Sequence, residues 1–199
     1  MNVRLQYDLD FLAGVYYEDQ LQMNQYTVSL NLLTKTKDSV STNIAMERLK
    51  AFVHGALEST VFINQANTER AEFMQMIGVN VTTLPEEPVD QIVGMMLYYK
   101  LNAVMEDRMI VTGLDIASSL GDNVWYRHDE EDVSGPFATD GWWYQASMQH
   151  ESVERDPEPG NIVKVMSTGW HELNLEWLEN TTVASDNTVV FANFPRNEK

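Results

Sequence analysis

The chain has 199 residues, of which 30 are Asp or Glu and 13 are Lys or Arg, so its net charge is −17. Proteins that coat DNA or RNA, or that dock on anionic lipid, need a basic surface, so the composition argues against both classes. The 44% of hydrophobic residues is enough for the core of one ordinary domain. The chain has no cysteine, which excludes disulfides, thiolate zinc sites and thiol nucleophiles.

The charge is distributed unevenly along the chain. Residues 1–100 carry 7 basic and 12 acidic side chains, a balance of −5. Residues 101–199 carry 6 and 18, a balance of −12, together with all five tryptophans. This contrast predicts an α/β core over residues 1–120 and an acidic, Trp-rich β extension over residues 121–199, packed as one compact unit.

No signal peptide or membrane span is predicted. The N-terminus lacks a basic region followed by an apolar stretch. The most apolar run, Val89 to Met105, is interrupted by polar residues such as Lys100 and is too short to span a bilayer. We therefore expect a soluble, cytoplasmic protein without membrane partners.

The first third of the chain predicts a hairpin followed by a helix. Apolar residues alternate over residues 3–11 and again over residues 26–32, as in two strands, with a polar connection at residues 18–20. Apolar residues then recur at three- and four-residue intervals over residues 41–59, which predicts an amphipathic helix.

Residues 61–114 predict alternating strands and helices. This order favours parallel strands joined by right-handed crossovers. The predicted elements are a strand at 61–63, a helix from an Asn67 cap to Gly78, a strand at 79–84, a helix from Pro88 to about Asp107, and a strand at 109–114.

The remainder predicts a short strand near residues 124–127, a loop over 128–160 and a C-terminal β meander over 162–194. The fold class is therefore α+β, with a mixed sheet, a βαβαβ-like central segment, an N-terminal hairpin and a C-terminal meander.

The acidic run that begins at His128 is the first candidate site. Carboxylates and a histidine suit magnesium, manganese or calcium. The spacing does not match an EF-hand, and a solvated acidic loop is the alternative interpretation. The candidate ligands in this run are His128, Asp129, Glu131 and Asp132.

A second candidate metal site lies at the carboxyl ends of the predicted strands, where ligands bind in open α/β sheets. Glu86, Glu87 and Asp115 would converge there and could hold a divalent ion for phosphoester hydrolysis. Alternatively, Glu86 and Glu87 serve only as acidic residues before the long helix, and Asp115 begins a turn.

Three consecutive aromatic residues, Trp142, Trp143 and Tyr144, are a candidate binding platform. Exposed, they would offer stacking surfaces to a sugar, a base or a partner protein. Buried, they would form a satellite core that holds residues 120–160 onto the domain.

Three segments resemble a known group of proteins. Residues 43–53 (NIAMERLKAFV), 59–64 (STVFIN) and 82–97 (TTLPEEPVDQIVGMML) resemble uncharacterised proteins of marine tailed bacteriophages, within a similarity over about residues 40–145. The resemblance implies a phage-encoded protein that acts inside a bacterium. It implies no activity, cofactor or site residue.

Three functions follow as hypotheses. The preferred one is a non-enzymatic accessory protein whose acidic surface, concentrated over residues 115–158, engages a basic host protein, for instance by mimicking DNA. The second is a divalent-metal phosphoester hydrolase that uses the candidate ligands above. The third is a virion or assembly component that self-associates through sheet edges.

Overall fold

The computed structural model describes residues 3–122, 124–129 and 135–147. Six strands form one mixed sheet in the order β4-β3-β1-β2-β5-β6. The strands are β1 (Arg4–Tyr17), β2 (Gln20–Thr34), β3 (Val61–Asn64), β4 (Val81–Leu84), β5 (Met109–Ser118) and β6 (Tyr126–Asp129). The helices are α1 (Ser39–Phe52), which continues as a π-helical turn (Val53–Leu57), α2 (Thr68–Met76) and α3 (Asp90–Met105). The predicted α+β class with an N-terminal hairpin is confirmed.

The β1–β2 hairpin is longer than predicted and forms the centre of the sheet. Its antiparallel register runs from the pair Arg4 and Leu33 to the pair Tyr17 and Gln20. A two-residue turn, Glu18-Asp19, joins the strands at the predicted polar connection, and both residues have positive φ, as a type I′ turn requires.

The helices lie on both faces of the sheet. On one face of the hairpin, alternate residues enter a large core with α1 and α3. Among them, the rings of Phe11 and Tyr26 stack with their centroids 4.9 Å apart. On the opposite face of the sheet, Val61 of β3 and Val81 of β4 pack with Ala71 of α2 in a second, smaller core. We call the face that carries α2 the outer face. Because α2 packs on β3, β4 and the end of β1, it leaves much of the hairpin's outer face exposed.

The predicted parallel arrangement is confirmed for β3 and β4, which pair parallel across α2. The structure places β5 elsewhere, antiparallel to β2 on the far side of the hairpin. Strands β3, β1 and β2 therefore separate β4 from β5. The helix α3 connects the two halves, and its many buried residues reflect this position in the core.

Several local signals agree with the structure. Asp38 caps α1 by accepting hydrogen bonds from the backbone N–H groups of Val40 and Ser41. Gly78 follows α2 with a φ of 86°, as expected of a C-terminal glycine. Asn67 stands at the N-cap of α2, but its side chain makes no capping hydrogen bond.

Parts of the acidic half join the sheet core. The predicted strand near residues 124–127 is β6, which pairs antiparallel with β5. The buried Phe137 and Trp142 belong to the main core. The predicted meander at 162–194 lies outside the described residues, and the division at residue 120 stays a prediction. No helix among the described residues is long and apolar enough to cross a membrane.

The helix α3 approaches the sheet closely at Gly94. A Cβ atom there would lie 2.7 Å from His128 Nε2 and 2.8 Å from Ile116 Cγ2. We expect Gly94→Ala to lower the free energy of unfolding by about 1–2 kcal/mol, because overpacking outweighs the better helix propensity of alanine. Urea denaturation measures this change. The double variant G94A/H128A should recover part of the loss, and a G94A chain as stable as the wild type would contradict this packing.

Candidate functional site

The structure does not bring the predicted metal ligands together. Asp115 and Arg127 are paired in the β5–β6 register, and Arg127 donates to both carboxylate oxygens of Asp115, at 2.7 and 3.0 Å. His128 pairs in register with Leu114 and packs against Gly94 of α3. Because side chains of a strand alternate between faces, Asp115 and His128 lie on opposite faces of the sheet.

The other predicted ligands that the structure describes do not form one site either. Glu86 and Glu87 follow β4, which three strands separate from β5. Asp129 lies on β6 rather than in the predicted loop, while Glu131 and Asp132 fall outside the described residues. Within residues 3–122, 124–129 and 135–147, no group of three or more His, Asp or Glu could hold a metal ion.

The small cavity beside His128 and Asp129 is also unsuited to a ligand. Its other lining residues are Met95, Tyr98 and Tyr99, and its volume is about 10 Å³. That is no more than the space of one water molecule.

The predicted aromatic platform is mostly buried. Trp142 and Trp143 belong to the main core, where Trp143 stands edge-on to Phe137 at 5.1 Å. The Nε1 atom of Trp142 donates to the backbone carbonyl of Thr83 at 3.2 Å. Tyr144 is 42% exposed and donates its hydroxyl hydrogen to the carbonyl of Phe137. The two tryptophans therefore attach this segment to the core, as the alternative interpretation held.

A buried lysine of α3 also binds residues 142–147. Lys100 of α3 is fully buried, and its Nζ donates to the carbonyls of Trp142, Gln145 and Ser147 at 2.9, 2.7 and 2.6 Å. The ammonium also lies 5.2 Å from the centre of the Trp142 ring. All three donors of the ammonium are used. The sequence showed Lys100 only as a polar interruption of an apolar helix.

Burial lowers the pKa of Lys100 to about 8 from the ordinary lysine value of 10.5. Between these two values the unfolded chain binds the proton and the folded chain does not, so the contribution of Lys100 to stability increases with pH. We expect the wild type to gain about 3 kcal/mol of unfolding free energy relative to Lys100→Met from pH 8 to pH 10.5, measured by urea denaturation.

The exposed Lys50 provides the control for this experiment, because a hydrogen bond from its ammonium to Glu47 raises its pKa. The variant K50M should therefore show no such gain. A pH-independent difference between the wild type and K100M would mean that Lys100 keeps its proton in the folded state throughout this range.

A cleft lies at the hairpin turn. It measures about 360 Å³, within the range of small-ligand sites. Four separate segments form it: the end of β1, the turn, the start of α2 and the residues that follow β4. The lining residues are Tyr16, Tyr17, Glu18, Asp19, Asn67 and Glu87. We call this the hairpin cleft.

Three carboxylates face the hairpin cleft, and hydrogen bonds orient two of them. Asp19 accepts a hydrogen bond from the Tyr16 hydroxyl at 2.9 Å, which raises the pKa of that tyrosine. Glu87 accepts one from Asn64 Nδ2 at 2.9 Å. Glu18, the third, is exposed on the turn. In the part of the chain that the structure describes, none of these three carboxylates forms an ion pair.

Of the residues that line the hairpin cleft, the sequence predicts a function only for Glu87, as a metal ligand. The polar run at residues 18–20 was interpreted only as a connection. Two-residue hairpin turns favour Asn-Gly, because both positions require positive φ. The presence of Glu and Asp at these two positions was the signal that pointed to this turn. Here Glu18 and Asp19 have φ of 47° and 60°.

Comparisons with known proteins do not assign a family. No family model and no curated protein matches the chain. Solved structures that resemble it include an uncharacterised protein, WS1659, from Wolinella succinogenes, at 12% identity over 66% of this chain and 99% of that one, with a TM-score of 0.47.

Two others are 6-pyruvoyl tetrahydropterin synthases. The Plasmodium vivax enzyme matches at 12% identity over 64% of this chain and 97% of that one, with a TM-score of 0.42. The Plasmodium falciparum enzyme matches at 13% identity over 64% and 96%, with a TM-score of 0.39. At these scores the likeness carries no argument about this chain.

Proposed function

We propose that the protein is a binding protein for a basic partner and that the hairpin cleft receives a lysine or arginine side chain of that partner. The observation that carries the proposal is the set of three carboxylates around a concave site that form no ion pair with any residue the structure describes. A concave site lined by charge of one sign concentrates the electrostatic potential and attracts the opposite charge.

The shape and walls of the hairpin cleft also suit an organic cation. A volume of about 360 Å³ accommodates one long side chain. Tyr17, which is 42% exposed, lines the hairpin cleft, and an aromatic ring is a favourable neighbour for a guanidinium or ammonium group. Asn67 provides an amide beside it.

Several other described carboxylates are neutralised by ion pairs. Asp115 is held by Arg127, and Glu106 pairs with both Arg48 and Arg108. Asp107 pairs with Lys35. The hairpin cleft differs in keeping its carboxylates available, while the chain's net charge of −17 would accelerate the approach of a basic partner.

The resemblance to phage proteins extends the proposal to a basic bacterial host protein as the partner, which includes proteins that normally bind DNA. The hydrolase alternative required Glu86, Asp115 and His128 in one place, and the separation of β4 from β5 in the sheet favours the binding proposal over it.

The double variant E18N/D19N tests the role of the hairpin cleft. Asparagine tolerates positive φ and keeps an acceptor for the Tyr16 hydroxyl, so the hairpin should fold normally while two charges are lost. We expect an unstructured oligolysine peptide to bind about five- to tenfold more weakly, since each exposed ion pair contributes roughly 0.2–1 kcal/mol. Isothermal titration calorimetry over a series of salt concentrations measures this change.

The control is E47Q/E58Q, which removes the same charge from α1 and from the end of the π-helical turn. It should weaken binding less than twofold. An equal loss in both variants would assign binding to diffuse charge rather than to the hairpin cleft. Binding that ignores salt concentration would contradict electrostatic recognition altogether.

A further inference from the structure

The exposed outer face of the hairpin carries a group of large apolar side chains. Leu12, Leu21 and Met23 are between 45% and 57% exposed. They surround Gly14, since Met23 lies opposite Gly14 in the register and Leu12 precedes it by two residues. A Cβ atom on Gly14 would lie 3.3 Å from Leu21 Cδ1 and 2.9 Å from Val61 Cγ2, so Leu21 borders the small core under α2.

One side of α2 forms a wall beside these residues. Arg70 of α2 interacts with the Tyr16 hydroxyl of β1, so the side of α2 that carries Arg70 faces the hairpin. Phe73 and Ile77 follow Arg70 by three and seven residues and therefore share that side. They are 52% and 60% exposed. We call the surface made by Leu12, Leu21, Met23, Phe73 and Ile77 the apolar groove.

Carboxylates lie at both ends of the apolar groove. Asp8 and Asp10 alternate with Leu12 on the outer face of β1, where Asp10 accepts a hydrogen bond from Thr27 and Asp8 accepts one from Ser29. The hairpin cleft, with Glu18 and Asp19, lies at the other end. The strand rise places Asp10 and Glu18 about 26 Å apart, which is the length of a helix of about 17 residues.

We propose that the apolar groove binds an amphipathic basic segment of the partner, whose apolar side chains cover Leu12, Leu21, Met23 and Phe73 while its lysines or arginines reach the carboxylates at the two ends. This inference rests on the proposed function and names the kind of segment that is recognised. A second copy of the chain is a poor occupant, because each copy carries a net charge of −17 and the carboxylates at the groove ends would face one another.

Two helical peptides of about 18 residues distinguish recognition of apolar surface from recognition of charge. Both carry lysines at the same positions, and one has leucine where the other has serine. We expect the Leu/Lys peptide to bind the full chain at least tenfold more tightly than the Ser/Lys peptide. The variants M23Q and F73Q should each weaken binding of the Leu/Lys peptide at least threefold and leave binding of the Ser/Lys peptide unchanged.

Val40 provides the control. It is 41% exposed on α1, which packs in the main core on the opposite face of the sheet. The variant V40Q should therefore bind both peptides as the wild type does. Equal affinity for the two peptides would overturn the groove inference and leave the proposed function standing. Absence of binding by either peptide would overturn both.

A photo-crosslinking residue in place of Met23 identifies the occupant directly. In the full chain mixed with the Leu/Lys peptide, we expect crosslinks to the peptide. Crosslinks between two copies of the chain would show a self-association surface instead. Crosslinks to residues 148–199 of the same chain would show that the protein covers its own groove. Either of the last two results would overturn the inference.

Discussion

The backbone pairing between β1 and β2 is the interaction on which the rest of the structure depends. It runs without interruption from Arg4 and Leu33 to Tyr17 and Gln20. The outer edge of β1 pairs with β3, and the outer edge of β2 pairs with β5. Because side chains of a strand alternate between faces, a slip of one residue would move the apolar set from the core to solvent, so the register also fixes which face α1 and α3 cover.

The same hairpin produces the surfaces to which we assign function. It ends in a tight turn, and that turn carries two charged residues where small or amide residues are favoured. Among the described elements, α2 covers part of the hairpin's outer face where it packs on β3, β4 and the end of β1. Beside α2, the exposed apolar side chains continue directly into the acidic hairpin cleft. A strongly acidic chain that leaves such a surface open is suited to a partner that combines apolar and basic residues.

Several of the described basic residues hold the protein's own structure together. Lys100 is buried among carbonyls of residues 142–147, where its charge attaches that segment to α3. Arg127 binds Asp115 on the sheet, and Arg48 is buried beside Glu106. Three of the remaining carboxylates line the hairpin cleft. Composition alone sets the net charge of −17, and the internal use of these cations leaves fewer of them to offset the exposed carboxylates.

The sequence by itself determined the elements that local patterns encode: the hairpin, the three helices and the parallel pair β3 and β4 all lie where periodicity, caps and turn residues indicated. Glu86, Glu87 and Asp115 were expected to converge because strands that alternate with helices usually pair as neighbours. Only the tertiary structure decided that β5 pairs with β2 instead, which depends on the edge that the long hairpin offers. The hairpin cleft likewise joins residues 16–19, 67 and 87, and local periodicity carries no information about contacts across such separations.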